Sequence, residues 1–93
     1  MTDIDFIRLT SEDNVATATR PLDCGETITV GTTRVTIINR IPRWHKFAIN
    51  DIGPGEKVFK FGMPIGIASQ RIRAGEHVGS HNLKTAQKEE DVV

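Results

Sequence analysis

A seven-residue phrase recurs three times along the chain: an aliphatic residue, two variable positions, Gly-Glu, one variable position, then a β-branched aliphatic residue. The copies run from Leu22 to Ile28, Ile52 to Val58 and Ile72 to Val78, so each sets a Gly-Glu pair (Gly25-Glu26, Gly55-Glu56, Gly75-Glu76) between apolar anchors. A glycine there lets the backbone take positive φ in a tight turn just before a strand begins. The copies stand thirty and then twenty residues apart, whereas a solenoid needs a fixed period because each repeat stacks on the one before. The pattern predicts three similar turn-into-strand corners in one small β-rich domain. The three Glu side chains are read as structural, because a catalytic acid repeated three times has no evident use.

Ninety-three residues fall within single-domain size, and a chain so short buries only about 60% of its unfolded surface. Its core is therefore modest, and partners would help it, self-association of the isolated chain among them. The single Cys24 cannot form an internal disulfide, which fits a reducing compartment and reads as inert packing. Acidic and basic residues balance to a formal charge of zero and the basic ones are scattered, so there is no electrostatic footprint for nucleic acid. No apolar run is long enough for a membrane span, and Asp3 and Asp5 stand where a signal peptide would carry positive charge. The expectation is a soluble cytoplasmic protein.

Local signals are short strands and turns. Asn14 to Thr19 and Thr33 to Ile38 read as strands, the second from its period-two alternation, and Lys46 to Ile49 and Lys57 to Phe61 follow. Turn-forming groups end them: Asn50-Asp51 with Gly53-Pro54-Gly55, then Gly62 with Pro64 and Gly66. No window of helical periodicity survives this punctuation from Pro21 to Val78. The fold class expected is all-β, over residues 1–83. Residues 84–93 are charged, with little apolar surface, and read as a solvated C-terminal tail.

Three polar groups are candidates for chemistry. Arg43-Trp44-His45-Lys46 follows Ile41-Pro42, so a Pro-restricted loop delivers an imidazole and an ammonium to the start of a strand, where they could hold an anionic group. The alternative is a solvated loop with Trp44 covering the core. His77 and His81-Asn82 follow the third Gly-Glu turn; a separation of four faces both histidines to one side only on a helix, whereas the neighbourhood reads as strand. Two histidines without Cys or an acidic cluster are too few for a zinc site, so no metal is assigned to this chain. Glu12-Asp13-Asn14 lies near a strand start, where Asp and Asn commonly bond their own backbone. There is no phosphate loop, nucleophile elbow or recognisable triad.

The order of motifs resembles one family. Asp13-Asn14-Val15-Ala16-Thr17-Ala18, the first Gly-Glu turn, Ile41-Pro42 with His45-Lys46-Phe47-Ala48, Lys60-Phe61-Gly62-Met63-Pro64-Ile65-Gly66, and Gly75-Glu76-His77-Val78 with His81-Asn82-Leu83 are similar to the SAF-domain small subunit, or N-terminal domain, of altronate and galactarate dehydratases. The small subunit of sulfolactate sulfo-lyase is similar too. The resemblance covers roughly Leu9 to Thr85 and implies a β-clip fold, a long bent hairpin folded on itself. It also implies a free-standing small subunit whose partner, a separate large subunit, supplies most of the catalytic machinery and a divalent metal, iron in several relatives. Relatives often carry His at the position of Gly79, in a His-x-His-Asn ending of which this chain keeps only His81-Asn82.

The chemistry implied is elimination from a hydroxylated carboxylic acid to a 2-oxo acid. His45 and Lys46 are then the expected catalytic pair at the subunit interface. His81, Asn82, Asp13 and Asn14 are the expected substrate-binding residues. The rival expectation is a stand-alone sugar-acid binding module without catalysis.

Overall fold

The computed structural model describes residues 5–85, and every described element is a β-strand or a turn. The strands are β1 (Phe6–Ile7), β2 (Val15–Ala18), β3 (Thr27–Val30), β4 (Thr33–Thr36), β5 (Lys46–Ala48), β6 (Lys57–Lys60), β7 (Met63–Ala68), β8 (His77–Val78) and β9 (Leu83–Thr85). All pairings are antiparallel: one sheet in the order β1-β2-β5-β8, a β3-β4 hairpin, and a third sheet in the order β6-β7-β9. The all-β expectation holds. Among the described residues no helix is long and apolar enough to cross a membrane.

The three Gly-Glu phrases form the corners expected of them, and there is a fourth. In each Gly-Glu corner the Glu N–H donates to the carbonyl three residues back (Asp23, Gly53, Arg73), closing a turn whose third residue is a glycine at φ 96°, 82° or 89°. That is the position where a type II turn demands positive φ. Pro42-Arg43-Trp44-His45 makes the same turn: His45 N–H donates to the Pro42 carbonyl at 3.0 Å, and Trp44 takes φ 72° where the others have glycine. All four corners clamp a strand by two backbone bonds. Gly25 pairs with Ile37 and Ile37 with Glu26, Gly55 with Ala68 and Ala68 with Glu56, Gly75 with Ala48 and Ala48 with Glu76, and Trp44 with Ala18 and Ala18 with His45.

The anchors of the four phrases meet in pairs. Leu22 bridges Ile41, and Ile52 bridges Ile72. Each pair seeds one apolar cluster, the first with Ile28, Val35, Ile37 and Phe47, the second with Val15, Val58, Ala68 and Val78. Burying one such aliphatic side chain is worth about 1.5–3 kcal/mol, so the repeated phrase supplies much of the core. The fourth corner, at Ile41, sits between the first and second of the three copies visible in the sequence.

Two boundaries differ from expectation. Pro64 and Gly66 do not end a strand; β7 runs through both. Pro64 is tolerated because β9 pairs only from Gly66 onward, leaving its missing N–H on an open edge, and the β6-β7 register shifts between Val58 and Phe59. Gly66 lets β9 close in, since a Cβ there would strike the Lys84 carbonyl. Lys84 and Thr85, assigned from composition to the tail, pair within β9. The rest of that stretch, 86–93, lies outside the described residues.

Candidate functional site

The fourth corner delivers the candidate site. In the Gly-Glu corners the Glu carboxylate also accepts the N–H of the turn's first residue: Glu26 from Asp23 at 2.7 Å, Glu56 from Gly53 at 2.8 Å and Glu76 from Arg73 at 2.9 Å. The structural reading of these three acids is thereby given its physical content. At the fourth corner the first residue is Pro42, which has no N–H to cap. The side chain at His45 is released from that duty and stands exposed.

His45 does not stand alone. Its Nδ1 lies 2.9 Å from His77 Nε2, and the two rings stack with centroids 5.1 Å apart. His81 also stacks on His77, its ring 5.4 Å away and only 9° from parallel. All three histidines of the chain therefore form one row. Strand pairing makes it: β5 pairs with β8 with Phe47 opposite His77, so His45 lies diagonally across from His77, within side-chain reach.

The row has a rigid footing. His77 N–H donates to Asn39 Oδ1 at 3.1 Å, and the His77 carbonyl accepts Asn82 Nδ2 at 3.0 Å. Asn82 is wholly buried and its Oδ1 accepts the Gly79 N–H at 3.0 Å, so it closes the turn that carries His81. Gly79 sits between the rings, where a Cβ would lie 3.2 Å from His77 Cε1 and 3.5 Å from His81 Nδ1. Lys46, half-buried, adds a cation; burial and then the Lys60 ammonium press its pKa below the ordinary lysine value. Partial burial, then His45, His81 and Lys46, likewise lower the pKa of His77. Among the described residues no carboxylate pairs with any of these four groups.

Trp44 marks the same corner by strain. A bulky residue at positive φ costs about 1–3 kcal/mol and persists only where its surroundings enforce it. Here the clamp on Ala18 does so, with Trp44 N–H donating at 2.7 Å, while the indole stays 57% exposed with the Arg43 guanidinium 4.8 Å above it.

Of the residues singled out from sequence, His45, Lys46 and His81 come together, with Asn82 beneath them. Asp13 and Asn14 serve elsewhere. Asp13 is buried, and its carboxylate accepts from Leu9 N–H, Thr10 N–H, Thr10 Oγ1, Phe61 N–H and Gly62 N–H. Burial alone would raise its pKa, but these bonds to the charged form win and hold it at about 2. Asn14 bonds Phe59 N–H at 2.8 Å and the Lys57 carbonyl at 3.0 Å. Both residues tie the N-terminal segment to the β6-β7 hairpin, with their polar atoms turned to the chain's own backbone.

His77, grouped with His81 in the sequence but given no role there, turns out to join that group to His45. What sequence reasoning missed is the fourth corner: Ile41-Pro42-Arg43-Trp44-His45-Lys46-Phe47 keeps the apolar anchors of the repeated phrase while replacing Gly-Glu by Trp-His. As for a metal, among the described residues no group of three His, Cys, Asp or Glu is placed to hold one. The imidazoles stack face to face instead of converging on a point, so the present arrangement does not fit a resident ion.

The candidate site thus brings three imidazoles and an ammonium together, with no carboxylate paired to them among the described residues. Comparison with known proteins places the chain: the altronate/galactarate dehydratase SAF domain matches residues 4–86, and the chain belongs to that family. It is 42% identical over 82 residues to altronate dehydratase of Escherichia coli K12 and 39% identical over 80 residues to altronate dehydratase of Bacillus subtilis 168. These matches cover 88% and 86% of the chain but only 17% and 16% of those enzymes. It is also 44% identical over 54 residues to (2R)-sulfolactate sulfo-lyase subunit alpha of Chromohalobacter salexigens, covering 58% of the chain and 57% of that subunit.

Proposed function

We propose that this chain is the small subunit of a heteromeric lyase that eliminates water from a sugar acid such as altronate or galactarate, giving a 2-keto-3-deoxy acid. The observation that carries the reading is the acid-free row of His45, His77 and His81 beside Lys46, presented by a strained corner in a domain of a dehydratase family. In such an elimination a base takes the proton α to the carboxylate, and the electron pair of that C–H bond forms the C=C bond. The β-hydroxyl leaves with its bonding pair and is protonated to water, and the enol tautomerises to the 2-oxo acid. Charge accumulates on the carboxylate as the α-proton departs. Fixed cations at that end lower the barrier, and an imidazole is suited to proton transfer near neutral pH.

In this reading Lys46 faces the anionic end of the substrate, and His45, hydrogen-bonded to His77, moves or holds a proton at its exposed nitrogen. His81 extends the row, and Asn82 positions it from below. A large catalytic subunit supplies the remaining machinery and the divalent metal, iron in the reading taken here, in a cytoplasmic complex. The match to a sulfo-lyase subunit alpha favours a second reading, with sulfite as the leaving group in place of hydroxyl.

Co-expressing the chain with its cognate large lyase subunit, and assaying the pair against altronate, galactarate and sulfolactate, tests the proposal. Turnover of one substrate by the pair and none by the isolated chain is expected. An inactive pair in which the chain still binds sugar acids would establish the stand-alone binding module instead.

A further inference from the structure

The imidazole row has a property beyond substrate contact, and its argument rests on the reading of this face as an anion's docking place. The 2.9 Å contact between His45 Nδ1 and His77 Nε2 has room for one hydrogen. With both rings neutral, one nitrogen donates and the other accepts. One added proton preserves that bond and makes it charge-assisted, the stronger form. A second would put hydrogens on both facing nitrogens, break the bond and set two cations at stacking distance. Geometry therefore makes a second proton harder to add than the first, and the paired rings act as a coupled unit.

Among the described residues no carboxylate is paired with the row to relieve that resistance. His45 acts on His77 from the corner before β5, Lys46 from β5 itself and His81 from the turn after β8, while the neutral Asn39 binds its backbone. Lys60, at the end of β6, acts on Lys46. Glu76, adjacent in sequence, turns its carboxylate to Arg73 N–H. The negative charge that would balance a protonated row has to arrive from outside.

We propose that the row is a proton-linked binding site for a hydroxylated carboxylate, which docks on the singly protonated histidines and, at neutral pH, takes up about one proton from solvent as it binds. No covalent bond to the ligand forms or breaks in this step. Because the protonated row is the form that binds, affinity rises as pH falls and levels off once the row is already charged.

The test is histidine ring NMR and calorimetry on the 93-residue chain, titrated with D-altronate between pH 5.5 and 8.5, with the uncharged alditol of the same carbon skeleton as control. Expected are an affinity that drops about tenfold per pH unit at the alkaline end, imidazolium-like shifts at His45 and His77 on binding, and proton uptake near one at pH 7.5 in buffers of different ionisation enthalpy. A His45→Gln/His77→Gln chain, its fold checked by the amide spectrum, should lose most of that uptake. If it unfolds, His77→Gln decides: removing the middle ring must move the titration of His45. Affinity flat with pH, uptake unchanged in the double variant, an unmoved His45, or no saturable binding at pH 5.5 would each overturn the inference. Turnover by the assembled pair is read separately. An active pair with pH-independent binding refutes only the proton linkage, and proton-linked binding by a chain whose pair is inactive refutes only the lyase reading.

Discussion

Four corners of this domain share one backbone plan and differ in what they spend their side chains on. At Gly25-Glu26, Gly55-Glu56 and Gly75-Glu76, glycine takes positive φ without strain and glutamate caps the N–H three residues back. At Trp44-His45 the same turn is built without either device: a bulky residue holds φ 72°, and Pro42 leaves no N–H to cap. The three regular corners satisfy themselves locally. The fourth gives up that satisfaction, and its free side chains stand on an open surface, beside the imidazoles of β8 and the turn that follows. The lesson is that a structural repeat can host a site where one copy departs from the pattern that stabilises the others.

The largest effect that would test this comparison is expected within the regular corners. A Cβ at Gly75 would strike the Thr36 carbonyl, at a φ of 89° that already disfavours any side chain, whereas at Gly25 a Cβ meets nothing within 4 Å. Gly75→Ala should cost roughly 4 kcal/mol or more and leave a domain of this size largely unfolded, while Gly25→Ala should cost about 1–2 kcal/mol. Urea denaturation of both variants checks this. Equal losses would show that the corners are not distinguished by packing.

Next in size is the effect of giving the exceptional corner the Gly-Glu pair of the others, with Pro42 still offering no N–H to cap. The Trp44→Gly/His45→Glu double variant should fold normally, yet the assembled enzyme should lose kcat by about 100-fold, roughly 2.7 kcal/mol of barrier. His45→Ala alone should do the same if the imidazole acts in the transition state, whereas a raised KM with kcat nearly unchanged would assign it to substrate anchoring. Full activity in a well-folded double variant would remove the functional meaning from the comparison.

A second strained residue sharpens it through pH. Phe61 holds φ 55° at the tip of the β6-β7 hairpin, and the buried Asp13 carboxylate binds both its N–H and that of Gly62. This carboxylate titrates at about 2 in the fold instead of 3.8. A depressed pKa means the unfolded chain binds the proton first, so this contribution, about 2 kcal/mol, is fully present above pH 4 and is lost as pH falls towards 2. Asp13→Asn should reduce the acid-dependent part of the unfolding free energy measured between pH 5 and 2, leaving the share that Glu26 and Asp51 contribute. An unchanged pH slope would show that Asp13 does not hold the hairpin.

Much of the fold was legible because its signals are local. Glycine before glutamate between apolar anchors marks three corners; alternation marks β4, and β-branched residues or bounding turns mark β2, β5 and β6, each within two residues of its ends. What stayed hidden depends on partners remote in sequence. β1, β8 and β9 are two or three residues long and exist only through the strands they pair with. His77 reads as one of a poorly spaced pair until β5-β8 pairing sets it against His45. Asp13 and Asn14 look like free polar groups until the β6-β7 hairpin, more than forty residues on, turns its N–H groups towards them.

The smallest predicted effect isolates the strain itself. Trp44 is mostly exposed, so replacing it by glycine forfeits little buried surface, while the left-handed φ of 72° becomes a relaxed conformation. Glycine also loosens the unfolded chain, which offsets part of the gain. The net expectation for Trp44→Gly is a stabilisation of about 1 kcal/mol, seen as a melting temperature raised by several degrees. Stability should rise while binding or turnover falls, because the backbone clamp remains but the Arg43-Trp44 stack beside His45 is gone. If Trp44→Gly instead lowers the melting temperature, the indole contributes packing that outweighs its strain, and the fourth corner differs from the others for reasons of stability. A rise in stability with unchanged function would leave His45 alone, and not the strained residue before it, as what sets this corner apart.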